Sequence, residues 1–164
     1  MTLTTHSIIA ATITKPIASA HPALIFLAAV ASHYLSDAIP HWDYKILSVE
    51  NKEDPHGRRL SSDRSLIIKD LVRFGLDTSV GFGAALILIG PETPQELLWA
   101  MLAPFGGMLP DFLLGVYAVK KFSFLKPIQL FHDFWHTKIL LGPYPLIGIP
   151  FQLVIILLRI YTFL

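Results

Sequence analysis

Histidine and aspartate residues recur at helical spacing in this chain. His33 and Asp37 are four residues apart, and His132 and His136 repeat that spacing. Residues four apart lie on one face of an α-helix, so each pair can direct two side chains to a common point. The chain has no cysteine, and nitrogen and oxygen ligands without sulfur suit Zn²⁺, Mn²⁺ or Fe²⁺. The spacing therefore indicates a metal site, whose usual chemistry is hydrolysis by activated water.

Other ionisable residues lie in or beside apolar segments. Asp70 and Asp77 are seven residues apart and share a helix face, while His41 and Asp43 follow the His33 segment closely. Ionisable groups in membrane helices are costly and usually mark a functional interior. The candidate metal ligands are His6, His33, Asp37, Asp111, His132 and His136. The candidate catalytic residues are Asp77, as a general base or further ligand, and His41, as a ligand or as an acid for the leaving group.

Each candidate also has a simpler explanation. His33 and Asp37 could form an ion pair on one helix face, and Asp77 could hydrogen-bond a neighbouring helix. Asp111 could cap a helical piece that follows Pro110. His132 and His136 could belong to an interfacial belt of lysines and aromatic residues. The joint occurrence of these residues near one face of the predicted membrane protein favours the metal site.

The elements that position these residues follow from composition. Hydrophobic residues make up 53% of the chain and charged residues 15%, whereas soluble domains average about 25% charged. We predict an all-α, single-domain membrane protein covering residues 1–164, with about five helices at residues 5–19, 22–39, 65–89, 95–119 and 146–164. The first two form a hairpin and are barely long enough to cross a bilayer. Gly106, Gly107 and Pro110 favour a kink or break in the fourth.

Basic residues predict the orientation. Seven lie in residues 40–73 and four in residues 119–142, but the turn at residues 90–94 has none. The positive-inside rule then places both polar stretches, including a solvated loop at residues 40–65 that could contain a short helix, in the cytoplasm. The site would lie near the cytoplasmic head groups, so membrane lipids are the expected partners. The net charge of +1 does not indicate a nucleic-acid partner, and the oligomeric state stays open.

Short motifs carry a family resemblance. Residues 33–41, His-Tyr-Leu-Ser-Asp-Ala-Ile-Pro-His, resemble the ligand segment of the zinc-dependent phospholipase C and S1/P1 nuclease superfamily. The Thr-His at residues 5–6 and the Gly-Met-Leu-Pro-Asp at residues 107–111 resemble small membrane-bound predicted metal-dependent hydrolases. The resemblance implies a helical fold around a metal cluster, with Asp37 bridging two ions and His33 and His41 as ligands. His136 replaces the glutamate of the family's later H-x-x-x-E pair, which favours one or two ions over three.

The leading hypothesis is a membrane-embedded hydrolase that uses one or two divalent ions, zinc foremost, to cleave a phosphoester or phospholipid head group. The alternative is a non-enzymatic membrane protein, either a metal or ion transporter or a structural accessory subunit. A transporter would favour ionisable groups throughout the bundle. Residues 78–89 and 146–158 contain no histidine, lysine, arginine or carboxylate, which indicates a one-sided site.

Overall fold

The computed structural model describes residues 1–50 and 59–163, and within these residues the chain forms six α-helices. They are α1 (Leu3–Thr14), α2 (Pro22–Asp37), α3 (Arg64–Ile89), α4 (Pro94–Lys120), α5 (Lys126–Trp135) and α6 (Pro145–Phe163). The predicted all-α class is confirmed, and α5 is an additional short helix within the second polar stretch. The two-residue strands β1 (Val49–Glu50) and β2 (Arg59–Leu60) pair antiparallel. Part of the predicted polar loop, residues 51–58, lies outside the described residues, and residues 40–50 and 59–63 contain no helix.

Helix α1 lies at the centre of the bundle and contacts α2, α3, α4 and α6. Its 12 residues span only about 18 Å, so it cannot cross a bilayer whose apolar core is about 30 Å thick. Small residues allow its neighbours to approach closely. A Cβ added to Gly81 of α3 would lie 2.6 Å from the Oγ of Ser7, and one on Gly107 of α4 would lie 2.8 Å from the carbonyl oxygen of His6. The close approach of α4 places its C-terminal half beside the start of α1.

Helix α4 runs without a break through Pro104 and Pro110. Of the predicted kink or break at Gly106, Gly107 and Pro110, the break does not occur, and the glycines also have a role in packing. A Cβ on Gly106 would lie 2.8 Å from the Cβ of Ala29 in α2. The glycine pair thus permits close packing of α4 against α1 and α2.

Helices α3, α4 and α6 are long and apolar enough to cross a membrane. Many of their large apolar side chains point outward, with Ile87 83%, Leu146 91% and Tyr161 81% exposed. A surface that exposes so many large apolar side chains fits lipid better than water. The predicted membrane association agrees with this surface.

The two ends of the bundle differ in character. The far end, where α1 ends and α2 begins, has an apolar core of Ile25, Trp99, Ala103 and Phe163. The Trp99 indole there donates a 2.6 Å hydrogen bond to the Oγ1 of Thr14. The site end, where α1 begins and α2 ends, buries histidines and aspartates instead.

Candidate metal centre

The carboxylate of Asp37, the last residue of α2, lies at the middle of the histidine cluster and is 1% exposed. Its Oδ2 lies 3.1 Å from the Nε2 of His33 and 3.1 Å from the Nε2 of His132. Its Oδ1 lies 3.2 Å from the Nε2 of His6 and 3.6 Å from the Nε2 of His41. The two oxygens therefore face two separate sets of imidazole nitrogens.

Asp111 of α4 completes the set around Oδ2. Its own Oδ1 lies 3.8 Å from the Nε2 of His33 and 3.7 Å from the Nε2 of His132. Ligand atoms of these two histidines, Asp37 and Asp111 all lie within 4.8 Å of one another. Neighbouring ligands of a tetrahedral zinc ion are about 3.3 Å apart, given bond lengths near 2.0–2.1 Å. This first ligand group, His33, Asp37, Asp111 and His132, could hold a metal ion.

A second ligand group consists of Asp37, His41 and His136, whose ligand atoms also lie within 4.8 Å of one another. The Nε2 of His41 lies 3.1 Å from the Oδ2 of Asp43. The amino group of Met1 lies 2.9 Å from the Oδ1 of Asp37 and 3.0 Å from the Oδ1 of Asp43. Asp37 is common to both ligand groups and connects them.

Backbone acceptors orient the imidazole rings. The Nδ1 of His33 donates to the carbonyl oxygen of Gly107 at 2.8 Å, and the Nδ1 of His41 donates to that of Ile39 at 2.7 Å. A carbonyl oxygen can only accept, so these contacts assign the proton to Nδ1 and the lone pair to Nε2. Metal-binding histidines usually have such an outer hydrogen bond. Both rings thus present Nε2 to the ligand groups.

His6 is oriented in the same way by a hydroxyl group. Its Nδ1 lies 3.1 Å from the Oγ of Ser36, which donates its own proton to the carbonyl oxygen of His33 at 2.8 Å. The Nε2 atoms of His6, His33 and His41 are buried without a hydrogen-bond partner among the described residues. Lone pairs that face carboxylate oxygens repel each other unless a cation or proton lies between them. The cluster therefore fits a metal ion.

Asp77 lies outside both ligand groups. Its Oδ2 accepts from the backbone N–H of Leu3 at 2.8 Å, and its Oδ1 accepts from that of Thr4 at 2.9 Å. The hydroxyl of Tyr44 donates to Oδ2 at 3.2 Å. These bonds cap the N-terminus of α1, and they favour the predicted helix-to-helix hydrogen bond over a general base.

Asp70 stabilises, through hydrogen bonds, the position of the loop that contains His41. Its buried Oδ2 accepts from the backbone N–H groups of Leu47 and Ser48 and from the Ser48 hydroxyl, each at 2.7 Å. Three donors to one carboxylate oxygen hold residues 47–48 firmly against α3. Asp70 is thus a positioning residue and lies outside both ligand groups.

The structure brings together His6, His33, Asp37, His41, Asp111, His132 and His136 of the sequence-predicted residues. Sequence reasoning missed Ser36, which looks like an ordinary helix residue. It also gave no role to Gln152, whose amide donates to the Oγ1 atoms of Thr5 and Thr2 at 2.5 and 3.1 Å. Gln152 could have been noticed in the sequence, because it is the only amide side chain in the apolar residues 146–158.

An open cleft of about 660 Å³ adjoins the second ligand group. Asp43 lines this cleft and also contacts His41. Two cationic side chains, Lys45 and Arg73, line it as well, together with the aromatic rings of Trp42 and Tyr44. Asp77 lines the cleft too, so two cations and two carboxylates face it, and Asp43 connects it to His41 of the second ligand group.

Local charges set the protonation of the loop residues. Burial alone would raise the pKa of Asp43, but contact with His41 and the Met1 amino group holds that pKa below its usual value. Burial and the nearby Asp77 raise the pKa of Tyr44. Burial lowers the pKa of His136. At neutral pH Asp43 is therefore a carboxylate, and His136 is a neutral imidazole able to bind a metal.

Comparisons with known proteins give no match: no family model, curated protein or solved structure matches this chain. The function of the site is therefore inferred from its geometry.

Proposed function

We propose that this protein is a membrane-embedded, metal-dependent hydrolase of phosphoesters. The observation that carries the proposal is the position of Asp37, whose two oxygens face different groups of imidazole nitrogens. Two ions about 3.5–4 Å apart, joined through a shared carboxylate, suit a displacement at phosphorus because they stabilise both the attacking and the leaving oxygen.

The residues divide naturally between two ions. His33, Asp111 and His132 would hold one, His41 and His136 the other, and Asp37 would bridge them. The Nε2 of His6 lies 3.2 Å from the Oδ1 of Asp37 and 3.8 Å from the Oδ2 of Asp111. His6 could therefore be an additional ligand of either ion. Ligands of nitrogen and oxygen alone suit zinc, manganese and iron, and zinc is the ion that we propose. Bound zinc would supply a water whose pKa is lowered to about 7.

Asp43 replaces Asp77 as the general base in this proposal. It is a carboxylate at neutral pH, its side chain is 42% exposed, and it contacts His41 at the edge of the second ligand group. A carboxylate there can accept a proton from a water held between the ligand groups. The Nε2 of His41 lies 3.6 Å from the Oδ1 of Asp37 and 3.1 Å from the Oδ2 of Asp43, so an ion held by His41 would lie beside both carboxylates.

The cleft supports a phosphoester as the substrate. Lys45 and Arg73 line it next to Asp43, and guanidinium and ammonium groups are the usual partners of phosphate oxygens. Helices α3, α4 and α6 provide an apolar surface for membrane lipids. A phospholipid head group at the cytoplasmic surface, the side indicated by the basic residues, is therefore the substrate we propose.

Metal analysis tests the proposal. We expect detergent-purified wild type to contain about one or two equivalents of zinc by elemental mass spectrometry, and Asp37→Asn to contain none. Asp133→Asn is the matched control, because Asp133 is close in sequence to His132 but its carboxylate accepts from Gln129 and belongs to neither ligand group. A folded wild type that binds no zinc, manganese or iron when they are supplied would contradict the metal centre.

Turnover tests the reaction class. We expect the metal-loaded protein to hydrolyse bis(p-nitrophenyl) phosphate and dihexanoyl phosphatidylcholine, with turnover lost in Asp37→Asn and in Asp43→Asn. Asp43→Asn should keep the same metal content as wild type, which separates a proton acceptor from a ligand. Full metal content without turnover of any phosphoester would contradict the enzymatic role.

The second candidate is a structural metal cluster in a non-enzymatic protein. Its support is the burial of the first ligand group, in which His33 is 0% and Asp37 is 1% exposed. A site closed to solvent excludes substrate as well as water. Asp43 and the cleft beside it favour the enzyme, and the turnover assay distinguishes the two.

A further inference from the structure

Helix α5 has two faces of opposite character. Its inner face carries Gln129 and His132, which are 2% and 6% exposed, and His132 belongs to the first ligand group. Its outer face carries Phe131, Phe134 and Trp135, which are 49%, 77% and 41% exposed. Phe131 contacts Tyr34 of α2, with ring centroids 4.8 Å apart, but all three rings remain at least 41% exposed. This outer face can therefore bind a partner that accepts large apolar groups.

The neighbouring helices restrict where α5 can lie. It connects α4, which ends at Lys120, to α6, which begins at Pro145, and both are long enough to cross a membrane. The 10 residues of α5 span about 15 Å, half the thickness of the apolar core. Its inner face is also held against α2 and α4. The helix must therefore lie near one membrane surface.

Charge selects the kind of surface. Residues 120–144 contain four lysines and one acidic residue, and the carboxylate of that residue, Asp133, accepts from Gln129. Aromatic rings at the head-group level and lysines next to them are the composition of an interfacial helix. Each lysine near an anionic lipid surface adds attraction. The complementary partner is a leaflet that contains anionic lipids.

We infer that α5 is an interfacial helix: its outer aromatic face inserts between the head groups and acyl chains of an anionic leaflet, while its inner face supplies His132 to the metal centre. The two explanations that the sequence left open for residues 132–136, an interfacial belt and a ligand pair, then apply to opposite faces of one helix. If the proposed function holds, the substrate head group comes from the layer in which α5 lies.

Spin-label depth measurement tests this position, because the chain has no cysteine and single cysteines can be introduced freely. The label goes on Phe134→Cys, with the chain in nanodiscs that contain phosphatidylglycerol. Val80→Cys, in the apolar middle part of helix α3 and 57% exposed, and Ser62→Cys in the exposed loop are the references for apolar core and water. Relative accessibility to oxygen and to a nickel chelate reports depth.

We expect the label at Phe134 to be deeper than the label at Ser62 and shallower than the label at Val80. Phe131→Cys, on the same face, should give a similar depth. Nickel-chelate accessibility at both positions equal to that at Ser62 would overturn the inference, as would a depth equal to that at Val80. These readings do not depend on metal or turnover, so their failure is distinct from failure of the proposed function.

Lipid composition tests the charge argument. Replacing phosphatidylglycerol with phosphatidylcholine should at least double the nickel-chelate accessibility of the label at Phe134. The double substitution Lys120→Gln and Lys126→Gln should produce the same shift in discs that contain phosphatidylglycerol. A label depth that responds to neither change would overturn the assignment of an anionic leaflet as partner.

Discussion

The far end and the site end of the bundle use the same helices for opposite purposes. At the far end, Ile25, Trp99 and Phe163 pack as an apolar core, and the one buried indole N–H has a partner in Thr14. At the site end, four buried imidazole nitrogens have no hydrogen-bond partner among the described residues: the Nε2 atoms of His6, His33 and His41 and the Nδ1 of His132. The comparison shows that packing at one end can hold unsatisfied ligands in place at the other. Substitutions at the far end should therefore change stability alone, while those at the site end should change metal binding.

The largest effect is expected from Trp99→Ala at the far end. Removing a buried tryptophan should lower the free energy of unfolding by about 3–5 kcal/mol, measured by denaturant titration in detergent. The folded fraction should keep its full metal content by elemental mass spectrometry. Trp135→Ala, at a ring that is 41% exposed, is the control and should be milder. Loss of metal from folded Trp99→Ala would mean that the two ends are coupled.

Gly107→Ala affects both properties, because Gly107 lies where α4 meets α1. The added methyl group would lie 2.8 Å from the Cβ of Ala10 and 2.8 Å from the carbonyl oxygen of His6, so the helices must separate. We expect a loss of about 2 kcal/mol in the free energy of unfolding together with weaker metal binding. Gly115→Ala in the same helix has nothing within 4 Å and should behave as wild type. Equal behaviour of the two variants would argue against close packing of α1 and α4.

Ser36→Ala sharpens the comparison without disturbing the packing. It removes the hydroxyl beside the Nδ1 of His6, and loss of such an outer partner typically weakens metal binding about 10–100-fold. We expect the lower end of that range, measured by competition with a chelator, and little change in stability. Ser79→Ala, which removes an exposed hydroxyl bonded to Gly75 within α3, should leave metal affinity unchanged. Unchanged affinity in Ser36→Ala would remove Ser36 from the site.

The smallest effect is expected from Thr93→Ala at the far end. The Thr93 side chain accepts from the backbone N–H of Glu96, and the Glu96 side chain accepts from that of Thr93, which together cap α4. Losing this cap should lower the free energy of unfolding by about 1 kcal/mol and leave metal content intact. Thr93→Ser keeps the hydroxyl and should be close to wild type. A drop in metal affinity would contradict the separation of the two ends.

Helical spacing predicted much of the cluster because the ligand pairs depend on local geometry. His33 and Asp37 needed only a helix at residues 22–39 to share a face, and His132 needed only a short helix in the second polar stretch. Helical spacing shows which residues share a face, but it does not show which other helix packs against that face. Asp77 shares a face with Asp70 but meets the N-terminus of α1, a contact that depends on tertiary packing.

The roles of Asp43 and of the glycine pair at residues 106–107 could not be predicted for a related reason. Asp43 looks like one more polar residue in a polar loop, and only the folded chain brings it within 3.1 Å of His41. The glycine pair at residues 106–107 reads as a helix breaker in isolation. Its contacts with Ala29 and Ala10 exist only once three helices are assembled, so no local pattern could have distinguished packing from a break.

The central position of α1 has a consequence for biosynthesis. This helix emerges from the ribosome before α2, α3, α4 and α6, which together cover it, and it is too short to be retained in a bilayer by itself. His6 therefore becomes buried only after the later helices have been translated. The first ligand group is likewise incomplete until His132 has been translated. The proposed metal ion could therefore bind only after α5 has been translated and the helices have closed around α1.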